Sequence, residues 1–108
     1  MNGRIKEQRN KMTNMYIRYC VATEAWANAT TEDRKKYHAK LKESAKKNGF
    51  ELLLFGPAFG VVESPAWVVR SEKGFNEYLD WLMTMGDLGF PSYVSASRTI
   101  FLVDAPWA

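Results

Sequence analysis

The sequence predicts an α+β fold in which a four-stranded antiparallel sheet carries two helices on one face. Three observations lead to this prediction. Four short runs are rich in β-branched and aromatic residues, two longer segments have apolar residues at helical spacing, and these segments follow one another in the order β-α-β-β-α-β. The chain has 108 residues, of which 46% are hydrophobic and 25% charged. That composition suits one domain with an ordinary core.

The first half of the chain contains one strand and one helix. Residues 15–22 (MYIRYCVA) have no helix breaker and favour a strand. Residues 25–29 are interpreted as a small-residue connection. Thr30 or Thr31 is suited to cap the first helix, because a threonine hydroxyl accepts a free N–H of the first turn, where two acids also favour the helix dipole. An Asn-Gly pair after Lys47 predicts the end of this helix.

The second half contains the remaining elements. Residues 50–55 (FELLLF) and 66–71 (AWVVRS) predict two strands, and the connection between them holds two glycines and two prolines. A second helix is predicted over 72–85, with Ser71 as its cap, and a long fourth strand over 92–103. The apolar stripe expected to face the core of the second helix consists of Phe75, Tyr78, Leu79, Leu82 and Met83.

This order of elements is the ferredoxin-like βαββαβ arrangement. Residues 38–42, 48–50, 52–57 and 68–75 then resemble the dimeric α+β barrel superfamily, whose small members include the YCII-related and the antibiotic-biosynthesis monooxygenase-like proteins. The shared pattern is a helix histidine, a glycine after the helix, an apolar strand that ends in Gly-Pro, and a capped second helix. The resemblance covers residues 15–103 and implies a dimeric α+β barrel with a cavity beside the subunit interface.

The aromatic content leads to the same expectation of a dimer. Four Trp, five Tyr and six Phe are difficult to cover with two helices. An apolar sheet face exposed to water usually marks an interface or a pocket. We therefore expect a homodimer that closes through the sheet face opposite the helices.

His38 and Glu63 are the candidate catalytic residues. His38 is the only side chain whose ordinary pKa is near neutrality, so it is suited to act as a general base. YCII-related proteins are described with an Asp that contacts the histidine after the Gly-Pro turn, whereas this chain has no Asp between Asp33 and Asp80. Glu63 is the acid of that connection. The alternatives are a helix-edge histidine and a solvated loop acid, neither with a chemical task.

A pocket for a flat or apolar ligand is the second candidate site. The expected ligand-binding residues are Trp26, Asn28, Phe59, Trp67 and Arg98. The monooxygenase-like relatives use Asn, Trp and His around their pocket, which makes Asn28 and Trp67 companions to His38. Phe55 and Trp81 could complete an aromatic lining, and the alternative is that these aromatic residues pack in the core and the interface.

Three functions remain open at this point. The first is a small-molecule binding protein without chemistry. The second is a cofactor-free enzyme, monooxygenase-like or YCII-like, with His38 as base. The third is an RNA-binding module, which shares the strand order but would need an aromatic motif on the third strand that AWVVRS lacks. Neither a zinc-finger spacing nor a Gly-rich phosphate loop occurs, so we expect no metal and no cofactor.

Charge and cysteine content complete the expectations. Residues 1–50 hold twelve Lys or Arg and five acids, whereas residues 51–108 hold three and seven. We interpret residues 1–14 as a flexible basic tail without a signal peptide, and residues 15–108 as the single domain. A single cysteine, Cys20, and the absence of a long apolar run predict a cytoplasmic protein that does not cross a membrane.

Overall fold

The computed structural model describes residues 13–86 and 88–103, except for the side chains of residues 96 and 97. Most of the predicted basic tail, residues 1–14, therefore lies outside the described residues, although Asn14 belongs to the first strand. The elements are β1 (Asn14–Ala22), α1 (Glu24–Asn28), α2 (Thr31–Lys47), β2 (Glu51–Gly56), β3 (Ala66–Ser71), α3 (Phe75–Met85) and β4 (Val94–Val103).

The four strands form one curled antiparallel sheet in the order β2-β3-β1-β4. The two central strands, β1 and β3, pair with each other, and each also pairs with one edge strand. The predicted α+β class is confirmed, and the strand order is compatible with a ferredoxin-like fold.

The core lies between the helices and one face of the sheet, and it is mainly aromatic. Side chains alternate between the two faces of a strand, and on β1 Tyr16 and Cys20 are fully buried on the helix side. The Tyr16 ring stacks on Tyr78 of α3 with 4.2 Å between ring centres. Trp81, one turn further along α3, stacks on Phe50 at 4.9 Å. Most of the aromatic residues in the sequence therefore belong to this core or pack against it.

α1 is a helix that the sequence pattern did not predict. Residues 25–29 were expected to form a connection, but Thr23 caps a five-residue helix by accepting the N–H of Trp26 at 3.4 Å. A helix of little more than one turn is too short to have an apolar period, so composition alone favoured a loop. α2 begins as predicted, because the Thr30 hydroxyl accepts the N–H of Asp33 at 3.1 Å.

α3 begins three residues later than predicted. Ser71 remains in β3, where its Oγ donates to the carbonyl of Gly49 (2.7 Å) and accepts the N–H of Lys73 (2.9 Å). The serine thus links the end of α2 to the turn before α3, and Gly74 occupies the capping position.

The buried face of α3 is also rotated from the predicted stripe. Tyr78 and Trp81 are the buried residues of this helix, whereas Leu79 and Met83 are 41% and 85% exposed. The apolar arc of the helix is wider than its contact with the sheet, so periodicity alone did not identify the buried side.

The sheet face opposite the core carries aliphatic side chains together with two paired arginines. We call it the open face; its aliphatic side chains share one side of the sheet by strand register and are Met15, Ile17, Leu54, Val68, Ile100 and Leu102. Within the described ranges, all three helices pack on the other face. Leu54 is 69% exposed and Leu102 is 51% exposed.

Candidate functional site

His38 lies at a cleft of about 350 Å³ between the first two turns of α2, the end of β2 and the connection between β2 and β3. Trp26 from α1 and Phe55 from β2 provide aromatic surface. The connection between β2 and β3 contributes Pro57 and Pro65. The lining is thus mostly apolar, as is usual for small-molecule sites.

The helical repeat of α2 positions the polar side of this cleft. Thr31, Arg34, Lys35 and His38 all line it. Residues three and four apart lie on the same face of a helix, so these four side chains follow one another along the cleft.

Aromatic contacts determine the geometry of the cleft wall. The His38 imidazole stacks on the Phe55 ring, with 5.1 Å between ring centres and an interplanar angle of 27°. The Trp26 ring meets Phe55 edge to face at 5.8 Å and 70°. Phe55 is therefore the shared contact of the imidazole and the indole.

Arg34 is fixed against α1. Its Nη2 donates to the carbonyl oxygen of Trp26 at 2.8 Å and to that of Ala27 at 3.4 Å. The guanidinium carbon lies 4.9 Å from the centre of a Trp26 ring, a cation–π distance. Because carbonyls at the end of a helix carry partial negative charge, this position suits a guanidinium without neutralising it.

The cleft is suited to binding more than to proton transfer. Its described lining contains cations, two hydroxyls, aromatic rings and prolines, but no carboxylate. His38 is exposed, and its imidazole stacks on the Phe55 ring. A general base is commonly oriented by a second polar group, and no acid of the described lining does so here.

Glu63, the proposed companion of His38, forms an ion pair with Arg98 of β4. The Arg98 guanidinium also stacks on Tyr19, 4.7 Å from its ring centre, on the side of the sheet that carries the open face. Hydrogen bonding to the Arg98 guanidinium holds the pKa of Glu63 below its usual range, and the carboxylate raises the pKa of Arg98. Glu63 and Arg98 are thus paired with each other, and neither residue lines the His38 cleft.

The other predicted ligand residues lie outside the cleft lining. Asn28 is exposed at the last residue of α1, and Phe59 is 88% exposed in the β2–β3 connection. Trp67 is only 2% exposed in the core, where its ring centre lies 5.5 Å from that of Trp81. Of the five expected ligand-binding residues, Trp26 lines the cleft with His38, and so does Phe55, which was expected to complete an aromatic lining.

Arg34 and Lys35 were not singled out as site residues by sequence reasoning. The signal available was their spacing, since Arg34 lies four residues and Lys35 three residues before His38. Both belong to a run of basic residues, which is typical of a solvated helix face. The residue types alone therefore do not indicate that these two side chains line a cleft.

The described residues contain no group of three or more potential metal ligands. Cys20 is fully buried, and burial raises the pKa of its thiol, which disfavours the reactive thiolate. In the part of the chain that the structure describes, every helix is too short or too polar to cross a bilayer.

No protein-family model matches this chain, and a search of curated proteins finds no match either.

Proposed function

We propose that this protein is a homodimeric binding protein of the dimeric α+β barrel type, and that the His38 cleft receives a small aromatic or apolar molecule. The observation that carries the proposal is the aromatic wall of the cleft, in which Phe55 contacts both His38 and Trp26. A flat ligand gains both apolar burial and favourable ring contacts against such a wall.

Binding without catalysis is favoured by the chemistry of the lining. His38 has no carboxylate beside it among the described lining residues, and Glu63 is held by Arg98. An enzyme with His38 as general base would need its substrate to supply the orienting polar group. Binding requires only the aromatic wall that Phe55, His38 and Trp26 form.

The open face supports the dimer. Its aliphatic side chains form a continuous apolar surface, and such a surface is typical of an interface. The charges on the same side are paired within the subunit: Arg70 with Glu51 at 3.0 Å, and Arg98 with Glu63. A second copy of the same face fits this surface, because a two-fold interface brings like apolar patches together without leaving a charge unpaired.

The two ion pairs, Arg70 with Glu51 and Arg98 with Glu63, also disfavour the RNA-binding alternative. RNA-recognition sheets stack bases on aromatic residues and bind phosphates with free cations. On the open side of this sheet the strands present mainly aliphatic side chains, and both arginines have carboxylate partners.

A neutral flat probe tests the proposed function. We expect 2-naphthamide, titrated into ¹⁵N-labelled protein, to shift the amide signals of α1, the first two turns of α2 and the end of β2. Phe55→Ala should abolish these shifts. Phe59→Ala, which removes an equally large but 88% exposed ring outside the cleft lining, should leave them unchanged.

Because Phe55 also packs against the core, His38→Ala serves as a second variant at an exposed position. It should weaken binding while the spectrum remains that of a folded protein. Amide shifts confined to the open face would contradict the proposal. Binding that is unchanged in both Phe55→Ala and His38→Ala would also contradict it.

A further inference from the structure

We propose that the ligand of the His38 cleft is an aromatic anion, whose ring lies against Phe55 and whose charged group binds Arg34. This inference rests on the proposed binding function and specifies the class of ligand. It depends on how Arg34 is held and on the balance of charge around the cleft.

Arg34 is positioned before any ligand binds. Two carbonyl oxygens of α1 accept from its Nη2, and the Trp26 ring lies beneath the guanidinium. Both of these hydrogen bonds use Nη2, whereas a guanidinium has five N–H donors. A planar guanidinium with remaining donors matches the geometry of an oxyanion, and its fixed position reduces the entropy lost on binding.

The charge of the cleft lining is positive. Arg34 and Lys35 both line it, and no described lining residue is acidic. Lys35 forms an ion pair with Glu32 outside the lining, with 3.9 Å between Nζ and Oε1 and both side chains more than 70% exposed. Such an exposed pair is weak. Among residues 13–86 and 88–103, no carboxylate forms an ion pair with Arg34.

The aromatic wall and the fixed cation are adjacent. Trp26 contacts both Phe55 and Arg34, so one indole connects the apolar surface to the guanidinium. A ligand that occupied only the apolar surface would leave the Arg34 guanidinium without an anionic partner. A flat ring with an anionic substituent engages both.

Two probes of matched shape test the inference. 2-Naphthoate and 2-naphthamide share the same ring and differ in the charge of one substituent. We expect calorimetry at low salt to give about tenfold tighter binding of 2-naphthoate, the usual effect of one charge-assisted hydrogen bond. Added salt should weaken only the binding of 2-naphthoate.

Variants of α2 assign the effect to Arg34. Arg34→Gln should remove the preference for the anion, so that 2-naphthoate and 2-naphthamide bind the variant with equal affinity. Lys36→Gln removes the same charge from a position two residues away that is not part of the cleft lining, and it should preserve the preference. Arg34→Lys keeps the charge and should retain part of the preference, which separates charge from any loss of α1 structure.

Three results would overturn the inference. Equal affinities for the two probes in the unmodified protein would refute the aromatic anion while leaving the binding function intact. A preference for 2-naphthoate that survives Arg34→Gln would assign the anion to another group. If neither probe binds, both the inference and the proposed function fail.

Discussion

Leu54→Lys should dissociate the proposed dimer without unfolding the subunit. Leu54 is 69% exposed in the isolated chain, so most of its side chain is available to be buried by a second copy. Complete burial of a leucine stabilises by about 1.5–3 kcal/mol, so the exposed part corresponds to roughly 1.5 kcal/mol per copy. A two-fold interface contains the residue twice, which gives roughly 3 kcal/mol and a weakening of more than about hundredfold in Kd.

Sedimentation equilibrium over a range of concentrations measures this change. The unmodified protein should approach twice the 12.4 kDa mass of the chain, and the variant should sediment as a monomer at the same concentration. Met83→Lys is the matched control, because Met83 is 85% exposed on α3, on the helix side of the sheet, and the substitution adds the same charge. A folded Leu54→Lys variant that remains as dimeric as the control would refute the assignment of the open face as the interface.

Three further predictions concern the subunit itself. Ser44→Ala should lower the free energy of unfolding by about 1–3 kcal/mol in urea denaturation, because it removes the acceptor of the buried Trp81 Nε1–H, 3.0 Å away; in a Trp81→Phe background, which lacks this N–H, the same substitution should cost less. Because Arg98 lowers the pKa of folded Glu63, the pair stabilises fully above the ordinary glutamate pKa of about 4.3, and this contribution is lost as pH falls from there through the lower pKa of the folded state. The urea midpoints of the unmodified protein and Glu63→Gln should therefore converge as pH falls below that value, and a constant difference would contradict the pairing. Cys20 should react with Ellman's reagent only as fast as the chain unfolds, whereas rapid reaction of the native protein would show that the thiol is accessible.

Much of the fold could be predicted from local chemistry. β3 was predicted at its observed bounds, and α2 begins at its threonine cap and ends before the Asn-Gly pair. These elements have strong local signals: β-branched and aromatic residues in one case, a cap and a stop in the other. α1 has a cap in Thr23 but is too short to show an apolar period. Ser71, a good cap by residue type, is the last residue of β3 and bonds to Gly49 and Lys73 instead.

The candidate site was less predictable, because it depends on which strand end meets which helix face. His38 and Trp26 were both selected by residue type, and both line the cleft. Trp67 was selected by the same reasoning and lies in the core, since its position in β3 points it toward the helices. The position of Arg34 could not be predicted, because it depends on the carbonyls and the indole of α1, a helix that the sequence did not indicate.

A crystal structure of the protein soaked with 2-naphthoate tests the central claim most directly. We expect the naphthalene ring in contact with Phe55 and the carboxylate within hydrogen-bonding distance of Arg34. The ligand on the open face, with the cleft empty at the same concentration, would contradict the assignment of the His38 cleft as the binding site.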